Sequence, residues 1–153
     1  MHNWFECKIS YEKTTDDGMQ RRVMESYLVD ALSFTEAEAR IIKEMRPFIS
    51  GEFIVVDIKR ARFAETFFND QGDRFYKAKI NMIALDEKNG TEKRTAVQML
   101  AQASTLLDAI NNINDGMKGT IADYEIVSVI ETMLIDVFPY VVEGNQDRKT
   151  VRP

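Results

Sequence analysis

The sequence has few of the residues on which most catalytic and metal sites depend. Its 153 residues include one histidine, His2, and one cysteine, Cys7. One residue of each kind cannot build a His-based triad, a His-rich metal site or a Cys-pair redox centre. A lone cysteine also cannot form a disulfide within the chain, which fits a reducing cytoplasm. We therefore expect a cytoplasmic, non-enzymatic protein with no catalytic residues, no metal and no cofactor.

Long apolar runs and glycine motifs are lacking as well. The longest apolar run near the C-terminus, 133–135, is broken by Asp136, far short of the ~20 residues of a membrane-spanning helix. The N-terminus has no basic segment followed by an apolar stretch, so we read no signal peptide. The seven glycines are scattered and form neither a Walker A loop nor a GxGxxG turn. We expect no membrane partner.

Basic residues are not in excess. The chain has 25 acidic and 20 basic residues, a net charge of -5. This balance argues against a protein that coats nucleic acid or anionic lipid, because such proteins usually have a basic excess. A chain of this length buries roughly two thirds of its unfolded surface, so a single domain needs no disulfide or metal for stability.

The chain repeats itself at a distance of 71 residues. Residues 4–11, which begin with Trp4-Phe5, align with residues 75–82, which begin with Phe75-Tyr76. A turn signal and a basic pair follow in both places. Further on, 53–58 align with 124–129, and 65–67 with 136–138. We predict an internal duplication of a strand-strand-helix-strand unit.

These signals predict an α+β fold. We expect a single globular domain over 1–140, with unit one at 1–68, a connector at 69–73 and unit two at 74–140. The first helix begins at the capping box Ser33–Glu36 and the second at Ser104 or Thr105. Each helix has one apolar stripe, which predicts an antiparallel sheet of about six strands with both helices on one face and a pseudo-two-fold. We expect the polar tail, 141–153, to fray.

A few carboxylates lie inside apolar strand patterns. Asp57, Glu65, Glu131 and Asp136 are the acid candidates for catalysis. An exposed strand face or a cross-strand ion pair is the more common role of such residues. They therefore do not change the expectation of a non-enzymatic protein.

Half of the basic residues fall on predicted strands. A basic sheet with aromatic side chains is typical of proteins that hold phosphate groups and stack bases. The candidate anion-binding residues are Arg21, Arg22, Lys59, Arg60, Arg62, Lys93 and Arg94. The candidate aromatic platforms are Trp4, Phe63 and Tyr76. A solvated sheet face with protective edge charges, or a protein interface, would produce the same pattern.

The aromatic pairs that open the two repeats form a second candidate surface. Adjacent strand residues point to opposite faces, so one residue of each pair should be in the core and the other on the outer face. Outward aromatic side chains would suit a homodimer.

Several strings of the sequence resemble a small domain-of-unknown-function family found in Bacteroides-type gut bacteria and in their phages and mobile elements. The strings are 4–9, 27–40, 57–62, 117–120 and 123–126. The resemblance extends to Tyr140. It implies a cytoplasmic bacterial or phage protein, and no activity or site residue comes with it.

Together these observations predict a non-enzymatic binding module. The preferred ligand is nucleotide-like or otherwise phosphorylated, held on the basic sheet face or between the two units, and sequestration of a host signalling nucleotide is one use of such a site. One alternative is an accessory protein that binds single-stranded nucleic acid. Another is a protein–protein adaptor or assembly subunit.

Overall fold

The computed structural model describes residues 2–140, and the expected polar tail lies outside them. This part of the chain contains two helices and eight strands, which confirms the α+β class. In chain order the elements are β1 Trp4–Thr14, β2 Gln20–Asp30, α1 Phe34–Met45, β3 Phe53–Ala61, β4 Glu65–Phe67, β5 Arg74–Asp86, β6 Thr91–Ala103, α2 Leu106–Gly116, β7 Asp123–Glu131 and β8 Leu134–Phe138.

The strands form two four-stranded sheets, so the expectation of one antiparallel sheet of about six strands is wrong. The orders are β3-β1-β2-β8 and β4-β6-β5-β7. In each sheet the three long strands are antiparallel, and one short strand is parallel to its neighbour. The short strands β4 and β8 supply the fourth strand of each sheet. The strand β4 follows β3 of the first sheet but pairs in the second, and β8 follows β7 of the second sheet but pairs in the first.

Two compact units result from this exchange of strands. Of the described residues, 2–62 and 133–140 form the first unit and 63–132 form the second. These bounds differ from the expected bounds of 1–68 and 74–140, because β4 pairs with β6 and β8 pairs with β2. The predicted duplication and its pseudo-two-fold remain predictions.

The first unit packs α1 against one side of its sheet, which we call the helix side. Alternate residues of β1, among them Phe5 and Ile9, pack there with Ala37 and Ile41 of α1. The opposite side, which we call the far side, also contains buried residues such as Leu28. Hydrophobic burial therefore stabilises the sheet from both sides.

The second unit is built in the same way. Tyr76 and Ile80 of β5 pack with Ala109 and Ile113 of α2 on the helix side. On the far side Leu100 is buried. Each repeat's aromatic pair is split between the two sides of its sheet, but both members are buried in both units. None of these four rings is an outward-facing platform for self-association.

Both helices begin at a side-chain cap. The Ser33 hydroxyl accepts a hydrogen bond from the Glu36 N–H at 3.1 Å, and the Thr105 hydroxyl accepts one from the Asp108 N–H at 3.1 Å. Each cap satisfies an N–H group that has no partner within the helix. The expected start of α1 is thus confirmed, and Thr105 rather than Ser104 starts α2.

The edge strands β3 and β7 share one irregularity. The pairing of β1 with β3 shifts between Lys8 and Ile9, and that of β5 with β7 shifts between Lys79 and Ile80. Each shift is a β-bulge that leaves one extra residue on the edge strand, Val56 on β3 or Val127 on β7.

Candidate functional site

The seven candidate anion-binding residues are all exposed and are divided between the units. The first unit contains Arg21, Arg22, Lys59, Arg60 and Arg62, and the second contains Lys93 and Arg94.

Within the first unit these residues do not form one cluster. Arg22 lies opposite Glu12 near one end of β1, whereas Arg60 lies opposite Phe5 near the other end. Seven residues of strand separate the two positions along β1, a distance of about 23 Å at ~3.3 Å per residue. In addition, Lys59 and Arg60 point to different sides of the sheet. One phosphate group cannot contact both ends.

Several of these basic side chains already have acidic or polar neighbours. Arg22 donates a hydrogen bond to the Ser10 hydroxyl at 3.0 Å. The ammonium of Lys59 lies 3.9 Å from the carboxylate of Glu6. Arg60 donates to the Asn3 side chain at 3.2 Å, and its guanidinium lies 5.5 Å from the centre of the Phe5 ring.

The second unit contains a small polar network on the far side of its sheet. The Asn81 amide donates to the carboxylate of Glu125 at 3.2 Å, and Arg94 bonds to the same carboxylate. The Asn81 hydrogen bond, and after it the charge of Arg94, hold the pKa of Glu125 below its ordinary value. Glu125 is therefore ionised at neutral pH and neutralises part of the charge of Arg94.

Two of the three candidate aromatic platforms are not available for stacking. Trp4 and Tyr76 are only 2% and 3% exposed. Phe63 is half-buried in the short connection between β3 and β4. Of the three predicted platforms, Trp4 and Tyr76 thus pack into the interior, and Phe63 alone is partly exposed.

The acid candidates for catalysis are placed separately as well. Asp57 is exposed on β3 opposite Lys8, and Glu65 is exposed on β4. Glu131 lies 3.8 Å from Arg74, and Asp136 is buried and accepts a hydrogen bond from the Val137 N–H. In the described part of the chain, no three His, Cys, Asp or Glu side chains are grouped so that they could hold a metal ion.

Exposed aliphatic residues on the edge strands are the feature that the sequence analysis missed. On β3, Ile54 is 60% exposed and Val56 is 44% exposed, and on β7, Val127 is 50% exposed and Ile130 is 60% exposed. Among residues 2–140, no strand pairs with the outer edge of β3 or β7. Edge strands normally carry charges, proline or short lengths that prevent further pairing. The run 53–56 of β3, which contains no charge, was the available signal.

On the far side of the first sheet the exposed apolar surface extends beyond β3. Met24 of β2 and Ile54 of β3 both lie opposite Ser10 of β1, so they flank it on neighbouring strands. Met24 and Ile54 are both largely exposed, whereas Ser10 is buried. An added strand at the edge of β3 would extend this surface.

The comparisons with known proteins give a family but no activity. The model of a domain of unknown function, DUF4494, matches residues 3–140, so the chain belongs to this family. No curated protein and no solved structure matches the chain. No helix within residues 2–140 is long and apolar enough to span a membrane.

Proposed function

We propose that this member of the DUF4494 family is a non-enzymatic assembly module whose copies associate through the edge strands β3 and β7. The exposed aliphatic side chains on two long edge strands are the observation that supports this function. A strand added at such an edge forms main-chain hydrogen bonds and buries alternate side chains.

Both the backbone and the side chains of the edge strands favour the addition of a strand. Each edge strand is nine residues long and contains no proline, so its outer N–H and C=O groups can bond to another strand. Full burial of a valine or isoleucine side chain contributes about 1.5–3 kcal/mol. The edge residues are 44–60% exposed, so each can supply at most about half of this contribution; they are Ile54 and Val56 on β3 and Val127 and Ile130 on β7.

A nucleotide-like ligand or a single nucleic-acid strand has weaker support. Within the first unit the basic residues are spread over both ends and both sides of the sheet, and several have intramolecular partners. Nothing in the geometry favours such a ligand over assembly, and sequestration of a signalling nucleotide has the same weakness.

The test is sedimentation velocity over a concentration range of about two orders of magnitude. We expect the mass of the wild-type protein to rise with concentration and that of Ile54→Lys to stay at the monomer value, because lysine replaces the apolar contact across the new strand pair with an unpaired charge. Met19→Lys is the matched control, since Met19 is a similarly exposed apolar residue in a turn of the same unit. A wild-type protein that stays monomeric throughout would contradict this function.

We further propose that the two units arose by duplication. Their equivalent edge strands, each with a bulge after the lysine at Lys8 or Lys79, support this origin. Asp30 and Gln102 give independent support: both are buried at the end of the second strand, and the carbonyl of each accepts a hydrogen bond from the following helix.

A further inference from the structure

We propose that β3 of one copy pairs antiparallel with β7 of a second copy, in the register that places Lys59 opposite Glu125. This inference rests on the proposed function and specifies which edges meet. Pairing β3 with β3, or β7 with β7, is the alternative.

The charges of the two edges favour β3 with β7. Within β3, Lys59 and Arg60 stand against Asp57, two positive charges and one negative, or +1. The other edge, β7, carries three acidic residues and no basic one, or -3; these are Asp123, Glu125 and Glu131. Pairing two copies of the same edge brings like net charges together, whereas β3 with β7 brings opposite charges together.

The register follows from which side of the sheet each residue occupies. Lys59 and Ile54 lie on the far side of the first sheet, because they pair with Glu6 and Ser10 of β1. Glu125 and Ile130 lie on the far side of the second sheet, because they pair with Asn81 and Lys77 of β5. The antiparallel register that places Lys59 opposite Glu125 also places Ile54 opposite Ile130.

The two bulges make this register consistent. Lys59 and Ile54 are five residues apart, an odd number that would normally place them on opposite sides of the sheet. The extra residue Val56 returns them to the same side, and Val127 does the same for Glu125 and Ile130. The paired strands therefore join two sheets whose helix sides face the same way.

The charged side chains are accessible for this contact. The side chain of Lys59 is 64% exposed and that of Glu125 is 44% exposed. The ion pair of Lys59 with Glu6 is long and exposed, and such pairs contribute little stability. In the proposed register Lys59 also lies diagonally across from Asp123, within reach of a long side chain.

Each copy carries one β3 edge and one β7 edge, so the contact is heterologous. Heterologous contacts produce closed rings or open chains. The mass of the assembly reports which of the two forms.

Charge reversal tests the pairing. We expect Lys59→Glu and Glu125→Lys to weaken self-association about tenfold each, because each places like charges opposite each other. An equimolar mixture of the two variants should associate as strongly as the wild type, since both kinds of contact in it join opposite charges. Lys13→Glu and Glu87→Lys, both exposed and outside the two edges, are matched controls.

Two further tests do not depend on whether Glu125→Lys folds. Glu125→Lys also removes the contact with Arg94, so Asp123→Lys serves as a second reversal that leaves the Asn81–Glu125–Arg94 network intact. Mixing Ile54→Cys with Ile130→Cys should yield a disulfide between copies under oxidation, whereas Ile54→Cys with Met133→Cys should not. The native Cys7 is buried.

The outcomes separate the two proposals. Restored association in the mixture, together with the Ile54–Ile130 cross-link, supports the pairing of β3 with β7. Association that Ile54→Lys abolishes but that the mixture of reversals does not restore overturns this pairing and leaves edge assembly standing. A monomeric wild type overturns both.

Discussion

At the scale of single residues, Asp30 holds together three parts of the first unit. Its buried carboxylate accepts hydrogen bonds from the N–H of Asn3 at 2.9 Å and the N–H of Tyr140 at 3.4 Å, and it also contacts His2. The backbone carbonyl of Asp30 accepts a hydrogen bond from Arg40. The residue thus ties both ends of the described chain to the end of β2.

Replacing Asp30 should destabilise the protein. We expect Asp30→Ala to lower the free energy of unfolding by about 2–3 kcal/mol, because the change leaves partly buried donors without their charged acceptor. Urea denaturation measures this change. Asp16→Ala, in an exposed turn, is the control and should leave the unfolding midpoint unaltered. Equal effects of the two changes would contradict the role of Asp30.

The Cys7 thiol should make stability depend on alkaline pH. Burial, and after it the charge of Glu6, raises the pKa of Cys7 from about 9 to about 12. Between these values the unfolded chain loses the thiol proton and the folded chain keeps it, so stability falls as pH rises, by at most about 1.4 kcal/mol per pH unit. We expect the stability advantage of the wild type over Cys7→Ala to shrink between pH 9 and 11 in urea titrations. A constant difference would refute this.

At the scale of elements, the short strand β4 depends on a glycine in α2. A Cβ at Gly116 would come within 2.4 Å of the Phe67 ring, far inside van der Waals contact. A three-residue strand carries almost no periodic pattern, so the contact between β4 and α2 could not be predicted from the sequence. Gly116 therefore has a packing role, while Gly119, with a φ of 85°, follows the helix in the left-handed region.

Gly116→Ala should displace β4, although alanine favours helices in general by about 1 kcal/mol over glycine. We expect faster amide hydrogen exchange over 65–67, measured by mass spectrometry, with α2 still protected. Asn111→Ala, on the exposed surface of the same helix, should leave β4 unaffected. The double variant Gly116→Ala/Phe67→Ala should tolerate the added methyl group, because the ring that this group contacts is removed. If 65–67 exchange as fast in the double variant as in Gly116→Ala, the methyl group clashes with a different residue.

At the scale of the whole molecule, the predicted hairpins and helices agree with the structure, and the predicted arrangement of the strands in one sheet does not. Hairpins and helices follow from turn residues, periodicity and caps, all within a few residues, as at Ser33. The partners of β4 and β8 depend on pairing across much longer stretches of chain. The candidate anion-binding residues of the first unit are dispersed for the same reason, because the pairing of β1 with β2 and β3 places Arg22 and Arg60 near opposite ends of β1. Whether Ile54 is exposed depends on β3 being an edge.

Removing the end of the sequence should therefore weaken its beginning. We expect truncation after Thr132, which deletes β8, to increase hydrogen exchange in β1 and β2 and to leave β5 and β6 protected, because β8 pairs with β2. Phe138→Ala, which thins the first unit's core, should produce a milder change in the same strands. Units bounded at 68 and 74 would give the reverse pattern, with the loss in the second half.

Because β8 belongs to the first unit, that unit can be completed only after the second unit has been synthesised. The second unit is a continuous insert, 63–132, and all of its strands are synthesised before β8. Until then the nascent chain presents β2 as an open edge, a template for misassembly between neighbouring chains on a polysome. Among the strands of residues 2–140, the last one made is thus the one that covers the β2 edge of the first sheet.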